Sequence, residues 1–243
     1  MIFKLSRSTA LTVLFFLLIN YSFAQSNYFK WSVGFGAGPN YSKTDVLKGS
    51  WGHTVYGEVN HYLTPFVSLG LEGQYGLVQG GDIHTDPHNR QFLNDYTSLS
   101  VNFKMALGEL IDFERSTLLD NIKGIYVGIG VGAIKNNIAD IVRRKPMWAA
   151  IDPGYGPFPG ENKTTNLWVP LNLGYNYYFY DGYGYARFAI NLNLQSNFTF
   201  GEGLDGYDDS SVNFKNYSPD TYNTYSIGVK CFFGNTRVYR RTL

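Results

Sequence analysis

The chain has 243 residues, a formal net charge of +1, and only 16% charged residues against 44% hydrophobic ones, with 27 glycines, 20 tyrosines and 18 phenylalanines. A soluble domain usually carries about 25% charged residues, and a charge this close to zero offers no electrostatic case for nucleic acid. One cysteine, Cys231, excludes an internal disulfide framework.

The first residues read "MIFKLSRSTALTVLFFLLINYSFAQS". Lys4 and Arg7 form a basic start, Ala10–Ile19 an apolar stretch, and Ser22-Phe23-Ala24 a small-x-small cleavage site. Residues 1–24 are therefore expected to be a secretory signal peptide, leaving 25–243 as a single domain. The apolar stretch falls short of the roughly 20 residues that a helical membrane span needs.

Beyond it, eight stretches alternate with a period of two. They run at about 31–41, 54–63, 67–80, 96–107, 126–137, 165–179, 183–198 and 222–233. The first sets Trp31, Val33, Phe35 and Ala37 on one face. The fourth sets Leu99, Val101, Phe103 and Met105 together, and the seventh Ala186, Phe188, Ile190, Leu192 and Leu194. Helical periodicity appears in one short piece, about 107–122. The fifth stretch, "YVGIGVGAIKNN", also fits the G-x-G-x-x-G/A fingerprint of a dinucleotide turn through Gly128, Gly130 and Ala133. No parallel β-α-β unit surrounds it, and alternate glycines recur in "SVGFGAG" and "SLGLEG". The stretch reads as a strand whose glycines leave room for bulky neighbours such as Arg187, Tyr178 and Trp168.

The two faces differ in a way that decides the class. One is apolar on all eight stretches. The other is rich in Ser, Gly, Asn and Gln, with Glu58, Glu72, Lys104, Arg187 and Lys230 as its charged residues. A soluble barrel needs an exterior with about 25–35% charged residues, and this polar face is too poor in charge to be one. It suits a hydrogen-bonded lumen, with the apolar face turned to lipid. Aromatics gather at both sets of strand ends: Phe29, Trp31, Tyr62, Phe66, Tyr177–Tyr180, Tyr183, Phe232 and Phe233 at one, and Tyr41, Trp51, Tyr75, Tyr96, Trp168, Phe198, Phe200, Tyr222 and Tyr225 at the other. Connections at about 42–53, 80–95, 136–164 and 199–221 are long and alternate with shorter turns. The expectation is an all-β, eight-stranded, antiparallel, up-and-down transmembrane β-barrel, or ten strands if 136–164 hides a hairpin. Its N-terminus is expected in the periplasm and its long loops outside the cell.

"VGFGAGPNYS", "YLTPFVSLGLEGQYG" and "LWVPLNLGYNYYF", together with a leader ending in "FAQ", resemble the small outer-membrane β-barrels of Gram-negative bacteria, especially the Bacteroidota-type porin-family barrels of the OmpA/OmpX-like kind. The resemblance spans about residues 28–233, and its motifs concern the fold. It implies an outer-membrane location and insertion by the barrel-assembly machinery. The chain departs from the family in the residues after Phe233, "GNTRVYRRTL", which are expected to form a short basic tail, 234–243.

The candidate sites are few. "GGDIHTDPH" places Asp82, His84, Asp86 and His88 at alternate positions of a long loop, residue types that bind metals. A solvated polar loop is the favoured reading, and no cofactor is expected. "GLDGYDDSS" offers Asp205, Asp208 and Asp209 without the spacing of an EF-hand. His61 falls on the lipid-facing parity near the periplasmic end, the wrong end for a lipid hydrolase, so no catalytic residue is assigned. The strongest constellation is Glu58, Glu72, Lys104, Arg187 and Lys230. Unlike charges in a lumen wide enough only for side chains must pair, and Arg187 is expected to pair with Glu58 or Glu72. The function read from the sequence is structural or surface-interacting, through the outside loops, with an unnamed partner. A narrow channel ranks second, a lipid-modifying enzyme third and a secreted carrier last.

Overall fold

The computed structural model describes residues 26–149, 157–208 and 220–239. The expected signal peptide, 1–24, lies outside them. Eight strands close into one barrel: β1 (Ser26–Lys43), β2 (Trp51–Tyr62), β3 (Val67–Gly81), β4 (Gln91–Ala106), β5 (Ile125–Ile141), β6 (Lys163–Tyr180), β7 (Ala186–Phe200) and β8 (Asp220–Tyr239). Every strand pairs antiparallel with its neighbours in sequence, and β1 closes the sheet against β8. The alternative of ten strands falls: among the described residues, the connection after β5 holds only a 3-10 turn at Met147–Ala149.

Period-two alternation places side chains as the sequence predicts. Along β3, Ser68, Glu72, Gln74 and Val78 are buried in the lumen, while Leu69, Leu71 and Tyr75 stand outside. The outer belt includes Phe35, Leu99, Val101, Ile129, Val131, Ile227 and Val229, all more than half exposed. So large an apolar surface is stable only when something other than water covers it. Charged residues share the outer parity toward the long-loop end of the belt, among them Asp95 on β4, Lys135 on β5 and Lys163 on β6.

Three details differ from the sequence expectation. First, strands run longer than the alternation shows, because hydrogen-bonded hairpins continue past the apolar belt into water. Residues 234–239 are therefore not a tail but the end of β8, with Tyr239 paired to Ser26. A register shift between Phe29 and Trp31, opposite a left-handed Gly234 (φ 92°), allows this extension. Second, the shift turns Phe29 inward while Trp31 stays outside. Third, the helical piece is short: α1 spans Thr117–Ile122 after two 3-10 turns, and the Ser116 hydroxyl accepts the Leu119 amide at 3.3 Å.

Candidate functional site

The lumen has three levels, and the middle one holds a layer of paired glutamates and lysines. Glu58 on β2 and Glu72 on β3 are direct cross-strand partners. Two carboxylates at such a position repel each other unless a cation lies between them. Lys104, one strand further on, supplies it: its Nζ lies 2.7 Å from Glu58 Oε2 and 3.2 Å from Glu72 Oε2. Lys230 on β8 approaches from the other side, with its Nζ 2.7 Å from Glu58 Oε1. All four are at most 6% exposed. Two acids and two bases leave the layer neutral, and breaking one such buried pair costs far more than its formation contributes.

Neighbouring amides complete the layer. The Gln74 and Gln195 side-chain amides both donate to Glu72 Oε1 at 2.8 Å. The Tyr126 ring stands 5.9 Å from Lys104 Nζ and 5.6 Å from Lys230 Nζ, and its hydroxyl accepts from Asn191 at 2.9 Å. Glycine on β5 is what makes the space. A Cβ on Gly128 would come within 2.8 Å of Lys104 Cγ, and one on Gly130 would strike the Asn102 amide. The dinucleotide-like run is thus a strand whose Gly128 and Gly130 accommodate Lys104 and Asn102, while Gly132 stands directly across from Trp168, one of the bulky neighbours named from sequence.

Arg187 is not part of this layer. It lies near the end of β7 with its side chain 49% exposed, and its Nε donates to Asp181 Oδ2 at 2.8 Å across the β6–β7 turn. Its guanidinium also covers the Phe29 ring at 4.6 Å. At a strand end the lumen opens to water, so the long side chain reaches the nearest turn acid instead of the buried carboxylates. The Arg187 side chain and the Tyr185 and Tyr183 amides hold the Asp181 carboxyl below the usual range.

Both ends of the lumen are filled by aromatics that the sequence reading assigned to outer girdles. At the short-turn end, Phe29, Tyr62 and Phe232 are buried together, and Phe66 packs with Tyr126 beside them. A cavity of about 110 Å³ remains there, lined by Phe29, Tyr62, Phe113, Lys123 and Tyr178 among others. At the long-loop end, Tyr96, Trp168 and Tyr222 are fully buried with Val46, Phe158, Leu204 and Tyr207. Trp31, Trp51, Tyr75, Tyr177, Phe200 and Tyr225 do face outward as girdle residues should.

The connection after β7, read from sequence only as a long loop, packs into the mouth of the lumen. Leu204, Asp205 and Tyr207 are at most 1% exposed, so residues 204–207 fold back over the mouth instead of projecting. The Tyr207 hydroxyl accepts the Gln91 amide at 3.1 Å and donates to the Val142 carbonyl at 2.9 Å, and Arg90 and Arg143 flank its ring at 5.6 and 6.0 Å. Burial pushes the Tyr207 phenol above its usual range. The sequence held one signal of this: Leu204 and Tyr207 are apolar side chains within a polar, glycine-rich stretch.

Asp82, His84, Asp86 and His88 do not converge. Asp82 Oδ1 accepts the His84 amide at 2.8 Å, and Asp86 accepts the amides of His88 and Leu47 and pairs with Arg90. His84 stacks on Trp148 at 5.1 Å, and His88 meets the Phe158 edge at 6.3 Å. Residues 82–90 form turns rather than a strand, so alternate positions do not share a face. Among the described residues, carboxylates instead gather from three separate segments: Asp45, Asp205 and Asp220.

No family model and no curated protein sequence matches the chain. Among solved structures, the crystal structure of Neisserial surface protein A aligns over 84% of this chain and 97% of that one, with a TM-score of 0.50 at 9% identity. The fold is that of a small outer-membrane barrel. Ail, the attachment invasion locus protein of Yersinia pestis, aligns in its complex with the heparin analogue sucrose octasulfate over 84% of this chain and 97% of its own, with a TM-score of 0.39 and 10% identity. AlkL in DMPC lipid bilayers aligns over 91% and 95%, with a TM-score of 0.38 and 12% identity.

Proposed function

We propose that the chain is an outer-membrane barrel with a closed lumen, and that its biological role is carried by the surface of its long loops. The observation behind this reading is the ion-paired layer of Glu58, Glu72, Lys104 and Lys230, which fills the barrel between two aromatic ends. A diffusion channel needs a continuous wet path, and this layer spends its polar groups on one another. The loop surface also offers what a partner would bind. Met147 is 96% exposed beside an exposed Trp148, and Leu47 is exposed on the first loop. The reading assigns the chain no catalytic role. His61, on the outer parity of β2, meets the Trp31 ring edge-on at 4.7 Å.

Closure is tested by liposome swelling. Proteoliposomes in an isotonic solution of a small sugar should swell no faster than empty ones, and protein-dependent swelling would support the channel instead. The proposed orientation puts the N-terminus and short turns in the periplasm. Trypsin on intact cells should then cut after the exposed Arg144 and spare Arg115, which is exposed on the short-turn side. Arg143, bonded to the Phe158 carbonyl and to Asn162, should be cut more slowly. Cleavage at Arg115 with Arg144 protected would invert the barrel.

A further inference from the structure

A groove of about 860 Å³ runs over the apolar belt on the outside of the barrel. Its floor is one row of the sheet, in which register joins Phe35, Gly57, Gly73, Leu99 and Ala133 across β1 to β5. Gly57 and Gly73 are direct cross-strand partners, so the surface dips there between Phe35, Val55, Tyr75 and Leu99. Packing within the chain does not require these glycines. A Cβ on Gly57 would meet the Phe35 ring at 3.5 Å, and one on Gly73 would meet Leu99 Cδ1 at 3.9 Å, both ordinary contacts. Gly128 and Gly130 differ, because Lys104 and Asn102 occupy the space that their side chains would need. The outer dip is left open to lipid.

The groove is oblique and ends at a positive charge. Phe35 lies midway along β1, whereas the same row continues through Leu167 to Phe200, the last residue of β7, so it climbs toward the long-loop end. Lys135 lines the upper end, with Thr97 and Thr165 as its direct cross-strand neighbours. Lys163, paired with Asn137, is diagonal to Lys135 on the same outer face. Long side chains at diagonal positions reach a common point, and both lysines are exposed. Asp95, diagonal to Lys135 on β4, offsets one of the two charges and leaves the patch net positive. An apolar groove alone selects no lipid, because acyl chains are as apolar as its walls. Selection has to come from the charged end.

We propose that this groove seats one acyl chain of an anionic phospholipid whose phosphate lies between Lys135 and Lys163, beside the Thr97 and Thr165 hydroxyls. The chain fills the dip at Gly57 and Gly73, and the two ammonium groups hold the headgroup at the edge of the belt. The lipid belongs to the leaflet on the long-loop side, whichever way the barrel is inserted. The inference is independent of the closed lumen and of the loop partner.

The test uses the refolded protein in detergent micelles, with retained lipid counted by native mass spectrometry. Dioleoyl phosphatidic acid is titrated in competition with dioleoyl phosphatidylcholine, dioleoylglycerol and glycerol phosphate. One phosphatidic acid should be retained in preference to the other two lipids, and glycerol phosphate should not displace it. Lys135→Gln and Lys163→Gln should each weaken retention about five-fold, the contribution of one basic side chain at an anionic headgroup. Asp95→Asn should strengthen it, and Lys48→Gln, on the first loop, should leave it unchanged. Gly73→Leu fills the groove and should lower retention at least as much as either lysine variant. Its thermal midpoint should nevertheless match or exceed that of wild type, because glycine weakens a strand interior. If Gly73→Leu fails to fold, the lysine variants, which leave the belt intact, decide. Equal retention of phosphatidylcholine or dioleoylglycerol, displacement by glycerol phosphate, or undiminished retention in both lysine variants or in folded Gly73→Leu would each overturn the inference.

Discussion

Glu58 and Glu72 in the middle of the barrel are buried as deeply as Asp205 and Asp220 at its mouth, yet the two pairs meet opposite company. The glutamates lie in a closed ladder where register brings Lys104 and Lys230 to them within 2.7–3.2 Å. The aspartates come from a loop and a strand start, and one carboxylate oxygen of each lies within 4.8 Å of the others and of one from Asp45. Neighbouring strands therefore solve the burial of acid internally, through side chains of fixed register. At the mouth an arginine links loop segments instead: Arg90 Nη2 donates to the Asp45 carbonyl at 2.7 Å and its Nε lies 3.7 Å from Asp86 Oδ1. Removing one charge of the closed ladder should accordingly weaken the barrel far more than removing a charge at an open strand end, such as Arg187.

The largest effect is expected from Lys104→Met, which keeps the volume and leaves Glu58 and Glu72 face to face. Breaking a buried pair from one side costs about 3–5 kcal/mol, measurable by urea unfolding in micelles or vesicles. Adding Glu72→Gln should recover part of this loss, whereas strict additivity would show that the two residues are not coupled. A mid-sized effect tests the faces. Ile129→Arg places a cation in the apolar belt at a cost of about 2–4 kcal/mol, while Asn193→Gln in the lumen should be milder. If the order reversed, the apolar face would not be the lipid face.

The smallest effect belongs to Arg187→Ala, because its pair with Asp181 stands at the open end and is screened by water. Its sign with pH is nevertheless fixed. The folded Asp181 carboxyl titrates below its unfolded value, chiefly through the Arg187 hydrogen bond. The stabilisation is therefore fully present above the ordinary aspartate range and disappears as pH falls through the depressed value. Wild type and Arg187→Ala should differ at neutral pH and converge in acid. A difference that persists at the lowest pH would assign Arg187's contribution to its packing on Phe29.

Strand number, order and facing were legible because period two extends over eight stretches and each step alternates an apolar with a polar side chain. The lumen quartet was legible for the same reason, since Glu58, Glu72, Lys104 and Lys230 share one parity. Arg187 shares it too, but parity carries no depth along the barrel axis, and depth decides whether a side chain meets its partners or water. The same blindness placed Tyr96, Trp168 and Tyr222 in a girdle, although their parity with Ser98, Asn172 and Thr224 already directed them inward. Phe29 could not be read at all, because the irregularity before Trp31 resets the alternation. The proximity of Asp45, Asp205 and Asp220 left no local trace, since two loops and the start of β8 must come together before they become neighbours.

The central claim, a lumen closed by its own paired charges, is tested most directly by ion current through planar bilayers containing the refolded wild-type protein. Small ions pass where sugars cannot, so the recording detects even a narrow path. The account expects a baseline indistinguishable from that of the protein-free membrane across the voltage range. Reproducible unitary steps in the wild type would contradict it and make the Glu58–Lys104 layer the lining of a channel.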